Sequence, residues 1–134
     1  MRGLLQRVAD MIAQYLPLCE LRIVAFVREH SIVTYCERRW KYAYFYRRGL
    51  ISIRPIVLHS FRNVTELNLN GNQFQSVPDT IGNCVQLKLL YLCENRLQSV
   101  PDTIDKCTQL QCLCLRKNPI ARRPVLNAKV QVYY

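Results

Sequence analysis

The chain has 134 residues, which suffices for one domain with a buried core and is short for two independent domains. The formal net charge is +10, which favours acidic partners but does not determine the fold. No apolar run approaches the ~18 residues of a membrane span, so we expect no membrane partner. Arg2, Arg7 and Asp10 interrupt the apolar letters of the start, so we also expect no secretory signal.

The chain contains seven cysteines, an odd number without the spacing of a disulfide framework. This usage predicts reduced thiols in a cytoplasmic compartment, where disulfides are rare. Free cysteine is also frequently buried as a small apolar residue, which is the simplest role for most of these positions.

Residues 1–40 predict an N-terminal helical cap of three helices. Pro17 ends the first helix, residues 18–29 form the second, and Ser31 is the N-cap of a third that runs to about Trp40. The first helix has the apolar spacing of an amphipathic helix: Leu4, Leu5, Val8, Ile12, Tyr15 and Leu16.

The letters QSVPDTI occur at residues 75–81 and again at 98–104, which sets a period of 23 residues. Pro55 lies 23 positions before Pro78, so the period extends backwards. We therefore predict that residues 41–63 form a degenerate first coil whose strand is YAYFY.

The stretch ERRWKYAYFYRR at residues 37–48 combines five cations with five aromatic rings. Such a mixture can contact a phosphate backbone and stack on bases, so nucleic-acid binding is one alternative. However, the 23-residue period places Tyr44 and Tyr46 in the core as leucine equivalents. The favoured interpretation is a junction with its aromatic rings inside, and nucleic acid is the less favoured partner.

Three segments, which begin at Val64, Leu87 and Leu110, fit the pattern LxxLxLxxNxL. In an L-x-L stretch both leucines point to one side of a strand, so each repeat predicts one short strand with one buried face. Stacked repeats then share a continuous core. The asparagine of each repeat is predicted to be structural, because its side chain can bond backbone groups of neighbouring coils. These residues are Asn72, Asn95 and Asn118.

This pattern resembles the leucine-rich repeat family, in its 23-residue form with a VPxxI return. The resemblance implies an α/β solenoid with three to four parallel strands, in which residues 41–134 follow the helical cap as one folded unit. It also implies a protein-binding module without catalytic activity or cofactor. More weakly, the short, basic chain resembles effector proteins of intracellular bacterial pathogens, which implies action in the host cell cytosol.

A second resemblance lies in LPLCEL at residues 16–21 and YCERRW at 35–40. These stretches are similar to the opening and close of the F-box, which precedes leucine-rich repeats in ubiquitin-ligase adaptors. The resemblance implies an alternative function as an adaptor. The residues that would match are Leu16, Pro17, Glu20, Leu21, Cys36, Arg39 and Trp40.

Strand residues that face away from the core predict a concave binding face with an aromatic and aliphatic centre and charged margins. We expect it to bind one protein partner, for which an enzyme with an acidic or mixed surface is a candidate, and to regulate or block that partner. The predicted contact residues are Phe45, Arg47, Glu66, Asn68, Asn70, Leu89, Tyr91, Cys93, Glu94, Cys112, Cys114, Arg116 and Lys117.

Cys93, Cys112 and Cys114 fall close together on this face, which raises the question of a metal or thiol site. Zinc prefers four cysteine or histidine ligands, and both histidines, His30 and His59, lie outside the repeats. A catalytic cysteine needs a neighbouring base, and none is visible. The sequence therefore predicts no metal and no catalytic residue.

Overall fold

The computed structural model describes residues 26–28, 31–33, 41–53, 55, 58 and 61–134, the first two segments by their backbone alone. Its main element is a parallel sheet of five strands in the order β3-β5-β6-β7-β8. The strands are β3 (Tyr42–Tyr44), β5 (Glu66–Asn68), β6 (Leu89–Tyr91), β7 (Cys112–Cys114) and β8 (Gln131–Tyr133). Each strand opens one coil of the chain, and we number the coils one to five in that order.

The five-stranded sheet fits a repeat fold of the solenoid kind, with one strand more than the sequence predicts. The additional strand, β8, pairs in parallel with β7, and its residue Val132 lies beside Leu113. The sequence pattern missed β8 because Val132 follows Leu113 by 19 positions instead of 23. The fifth strand therefore falls outside the 23-residue period.

The core is built from the inward residues of the sheet and of the return segments. At the centre of the sheet, Ala43, Leu67, Leu90 and Leu113 lie side by side and are fully buried. The alternation of side chains along a strand gives each three-residue strand one core position and two solvent positions. Val132 continues the row on β8, where it is partly buried.

The return segments of the second and third coils have the same structure because they have the same letters. A 3₁₀ helix follows Pro78 and a second follows Pro101, spanning Asp79–Asn83 and Asp102–Lys106. The fixed φ of proline suits the residue that precedes the first helical turn. The thiols of Cys84 and Cys107 donate to the carbonyls of the preceding coil, at 3.6 and 3.3 Å.

The asparagines of the repeats form a ladder of backbone contacts between coils. Asn95 Oδ1 accepts from the Phe74 N–H, and its Nδ2 donates to the carbonyls of Leu69 and Leu92. Asn72 and Asn118 make the equivalent bonds one coil earlier and one coil later. Each side chain thus satisfies backbone groups that the bending chain leaves without a partner.

In the first coil the predicted strand is present, but its two faces are exchanged. Ala43 pairs with Leu67 and lies 24 positions before it, so the spacing is one residue longer than the repeat. Because side chains alternate along a strand, this extra residue turns every side chain to the opposite face. The prediction that Tyr44 and Tyr46 lie in the core is therefore wrong, since 46 % and 50 % of their surface is exposed.

The extra residue of the first coil lies in its return segment. Ile53 is buried 24 positions before Val77, whereas Leu58 is buried 23 positions before Ile81. The change of spacing thus falls between Ile53 and Leu58. The downstream part of the return keeps the 23-residue period, which is why Pro55 appears to be in register in the sequence.

A second, three-stranded sheet has the order β1-β2-β4. Its strands are β1 (Phe26–Arg28), β2 (Ser31–Val33) and β4 (Ser52–Ile53), with β1 antiparallel to β2 and β2 parallel to β4. The predicted helices over residues 18–29 and from Ser31 are therefore wrong where the structure describes them. Phe, Val and Ile at these positions favour extended backbone, and this preference outweighs the apparent helical spacing.

No helical cap is found among the described residues. The first predicted helix, from Leu4 to Leu16, lies outside them and stays a prediction. The same holds for the residues that resemble the F-box, which are Leu16, Pro17, Glu20, Leu21, Cys36, Arg39 and Trp40.

Candidate functional site

The solvent-facing side of the five-stranded sheet, which we call the strand face, carries three rows of side chains across the coils. The strand register gives the first two rows, and backbone bonds after the strands give the third. The first row is Tyr42, Glu66, Leu89, Cys112 and Gln131. The second row is Tyr44, Asn68, Tyr91, Cys114 and Tyr133. The third row is Tyr46, Asn70, Cys93 and Arg116.

Tyrosine dominates the strand face. Tyr42 and Tyr44 stack with parallel rings whose centroids are 6.4 Å apart. Burial raises the pKa of Tyr44, and the neighbouring Glu66 carboxylate raises it further. The pKa of Tyr91 is raised in the same way, by burial and then by Glu66. Glu66 therefore lies within electrostatic reach of two tyrosines, which stay neutral donors at physiological pH.

Cations lie over the aromatic rings at both ends of the strand face. The Arg47 guanidinium is 5.1 Å from the Tyr46 ring centroid, and the Arg116 guanidinium is 5.3 Å from that of Tyr133. Such contacts hold the flat guanidinium against the ring face. The aromatic rings therefore hold these positive charges in place at the margin of the strand face.

Glu94 joins three coils at the edge of the strand face. Its carboxylate accepts from Lys117 at 2.8 Å and from Arg47 at 3.4 Å. These two bonds, that from Lys117 first, lower the pKa of Glu94. All three residues have positive φ angles, and Gly71 has the same conformation at the equivalent position of the second coil. The left-handed turn after each strand thus sets the position of these charges.

Cys93 and Cys114 form a disulfide across the third and fourth coils. Cys93 lies two residues after β6 and Cys114 ends β7, and their Cα atoms are 5.6 Å apart, within the usual range for a bridge. The prediction of reduced thiols is therefore wrong for this pair. The disulfide lies next to Tyr91 and fixes the centre of the strand face.

The other cysteines in the described part of the chain are free thiols. Burial raises the pKa of Cys84 to about 12 and that of Cys107 to about 11. Cys112 is half-buried on the strand face, and burial raises its pKa too. A raised pKa leaves little thiolate at neutral pH, so none of the three is an activated nucleophile.

The structure brings most of the predicted contact residues together on the strand face. Phe45 is the exception: only 3 % of its surface is exposed, and its ring packs on Phe61 in the core. The extra residue of the first coil explains this error, because it puts Phe45 where the repeat has a leucine. The sequence prediction missed the tyrosines that replace it, Tyr42, Tyr44 and Tyr46, and also Tyr133 on the fifth strand.

Within the described residues, no group of three His, Cys, Asp or Glu side chains could hold a metal ion. The same residues include no helix that is long and apolar enough to cross a membrane.

Comparison with known families gives a match. The model of the family described as leucine rich repeat matches residues 50–120, which is more than half of the chain. No curated protein matches the sequence.

Proposed function

Because the chain belongs to the leucine-rich repeat family, whose members generally act as non-enzymatic binding modules, we propose that it binds a partner protein on the strand face. By covering a functional surface of that partner, such as the active site of an enzyme, it regulates or blocks the partner. The resemblance to bacterial effectors, with action in a host cell, stays a prediction.

The observation that supports this proposal is the composition of the strand face. Tyrosine and arginine are enriched in protein interfaces and at their energetic centres. Here they occupy positions that have no role in the core, since the inward residues of the same strands fill it. Tyr91, flanked by Leu89 and the Cys93–Cys114 disulfide, is at the centre of the face.

The dimensions of the strand face limit the partner surface that it can bind. Five strands at about 4.8 Å spacing give a face about 19 Å wide. Such a face suits one loop or one extended segment of a partner, toward the lower end of the standard interface of about 800 Å² per side.

Affinity capture tests the proposal, with the full chain as bait in an extract of the cells where the protein acts. We expect the double variant Tyr91→Ala, Arg116→Glu to lose the partner. A matched double variant away from the face, Val85→Ala with Arg62→Glu, should keep it, because both of these side chains are exposed on the return side. Retention of the partner by the first variant would overturn the placement of the site.

Single-stranded nucleic acid is the second candidate, because the structure exposes the tyrosines of residues 37–48 that the sequence places inside. Tyr42, Tyr44 and Tyr46 face solvent beside the exposed cations Lys41 and Arg48. Aromatic rings and cations together form a stacking platform for bases. Binding to an oligonucleotide that weakens steeply with salt would support this candidate over a protein partner.

A further inference from the structure

The second row of the strand face carries a tyrosine on every other coil. Tyr44, Tyr91 and Tyr133 lie on the first, third and fifth strands, and Asn68 and Cys114 lie between them. Neighbouring strands are about 4.8 Å apart, so successive tyrosines of this row are about 9.6 Å apart across the sheet. The row thus presents three aromatic rings at a regular interval.

This interval matches one turn of a polyproline II helix. That helix has three residues per turn and a rise of ~3.1 Å per residue, so every third residue recurs at ~9.3 Å on one side. Proline-rich segments in this conformation dock in grooves lined by aromatic side chains. We propose that the strand face binds a proline-rich segment of the partner, with prolines at every third position against Tyr44, Tyr91 and Tyr133. This inference rests on the proposed function and specifies the partner's chemistry.

An α-helical ligand fits the strand face less well. A docked helix offers aliphatic anchors to a hydrophobic groove, but the three described rows contain a single aliphatic side chain, Leu89. The remaining positions are tyrosines, polar residues, cysteines and Arg116. Flat aromatic rings with hydroxyl groups suit proline rings and the unpaired carbonyls of a polyproline II backbone.

The face also offers a donor for such a carbonyl. Asn68 uses its Oδ1 to accept from the Asn70 N–H, at 3.0 Å. Among the described residues its Nδ2 donates to none, and it lies between Tyr44 and Tyr91 in the row. A polyproline II backbone keeps its carbonyls free for a donor at this position.

The charge of Glu66, which lies in the first row two residues before Asn68, favours a cationic peptide over nucleic acid. Glu66 forms no ion pair within the described part of the chain, in contrast to Glu94, which has two. Its carboxylate lies close enough to Tyr44 and Tyr91 to contribute to the raised pKa of both. Glu66 would repel a phosphate backbone that lies along the second row, whereas it would attract an arginine or lysine next to a ligand proline.

A synthetic peptide tests the inference directly. We expect the full chain to bind Ac-RPAAPAAPAR-amide, which has prolines at every third position and an arginine at each end, in a fluorescence or calorimetric titration. Two control peptides keep the charges: RAAPPPAAAR changes only the proline spacing, and RAAAAAAAAR removes the prolines. Equal binding of all three peptides would overturn the inference, because it would show attraction by charge alone.

Variants of the protein test where on its surface the peptide binds. Tyr91→Ala should weaken peptide binding by about thirtyfold, the effect of an interface hot spot of about 2 kcal/mol. Glu66→Gln should weaken binding less and reduce its salt dependence. Val85→Ala, an exposed apolar residue on the return side, should leave binding unchanged. An unchanged affinity in Tyr91→Ala would contradict the proposed row.

The titration and the partner capture separate this inference from the proposed function. If the peptide does not bind but Tyr91→Ala, Arg116→Glu loses a captured protein, the strand face binds proteins by another chemistry. If a single-stranded oligonucleotide displaces the peptide and Glu66→Gln strengthens oligonucleotide binding, nucleic acid replaces the proline-rich segment. Either result overturns the inference.

Discussion

The first coil differs from the second and third coils in one residue of spacing, and this changes what faces solvent. The second and third coils share the letters QSVPDTI and have the same 3₁₀ helix on their return side. The first coil has a 24-residue spacing to its neighbour, which buries Phe45 and exposes Tyr42, Tyr44 and Tyr46. Repetition therefore specifies the scaffold, while a departure from it creates the aromatic end of the strand face.

The largest expected effect distinguishes the two faces of the first strand. Phe45→Ala should lower the free energy of unfolding by about 3–5 kcal/mol, because it removes a buried ring that packs on Phe61. Tyr44→Ala, one position earlier, should change it by less than about 0.5 kcal/mol. Urea denaturation of both variants measures the difference. Equal losses would contradict the exchange of faces in the first coil.

The disulfide strengthens the later coils in a way that the first coil lacks. Cys93 and Cys114 close a loop across 21 residues, and the chain-entropy estimate for such a loop is about 3 kcal/mol. Cys93→Ser should therefore lower the free energy of unfolding by about that amount under non-reducing conditions. The wild-type protein in the presence of reductant should show the same loss. Cys112→Ser under non-reducing conditions should keep the wild-type free energy of unfolding. No change in either case would exclude the bridge in solution.

The asparagine ladder tests how the first coil is attached. Asn72 is buried and accepts from the backbone N–H groups of Arg48 and Leu50, so it connects the first coil to the second. Asn72→Ala should cost about 1–3 kcal/mol, because it leaves buried backbone groups without a partner. Asn118 lies in a half-exposed position, where water can replace the lost bonds, so Asn118→Ala should cost less. Thermal denaturation of the two variants makes the comparison.

The smallest expected effect concerns Glu94, which connects the first coil with the third and fourth. Its pKa is lowered by Lys117 and Arg47, so its folded form holds a proton less readily than the unfolded chain. The resulting stabilisation is present above the ordinary glutamate pKa and is lost as the pH falls through the lowered value. Glu94→Gln should remove this pH dependence with little change at neutral pH, since exposed ion pairs contribute little. A large loss of stability in Glu94→Gln at neutral pH would contradict this account.

Much of the scaffold was predictable from the sequence. Leu67, Leu90 and Leu113 occupy the same position of successive repeats. They predict the inward row of the sheet, because the leucines of an L-x-L stretch point into the shared core of stacked repeats. The extra residue between Ile53 and Leu58 could not be located, because Pro55 still fits the 23-residue period. The fifth strand could not be predicted either, because Val132 follows Leu113 by 19 positions and no sequence feature marks this shortened coil.

The candidate site was predictable only where the period holds. Tyr91 and Leu89 lie on the strand face as the period requires, whereas Phe45 does not. The Cys93–Cys114 bridge could not be derived from the composition, because an odd number of cysteines favours free thiols. The pairing of Cys93, which follows β6, with Cys114 on β7 depends on the sheet register, which the sequence specifies only indirectly.

The extra residue of the first coil turns its tyrosines outward onto the strand face. Hydroxyl-radical footprinting of the folded full chain, followed by mass spectrometry, measures the accessibility of tyrosine and phenylalanine in one experiment. We expect rapid oxidation at Tyr42, Tyr44 and Tyr46, and oxidation of Phe45 and Phe61 only after unfolding. Protected Tyr44 and Tyr46 together with a reactive Phe45 would contradict the account.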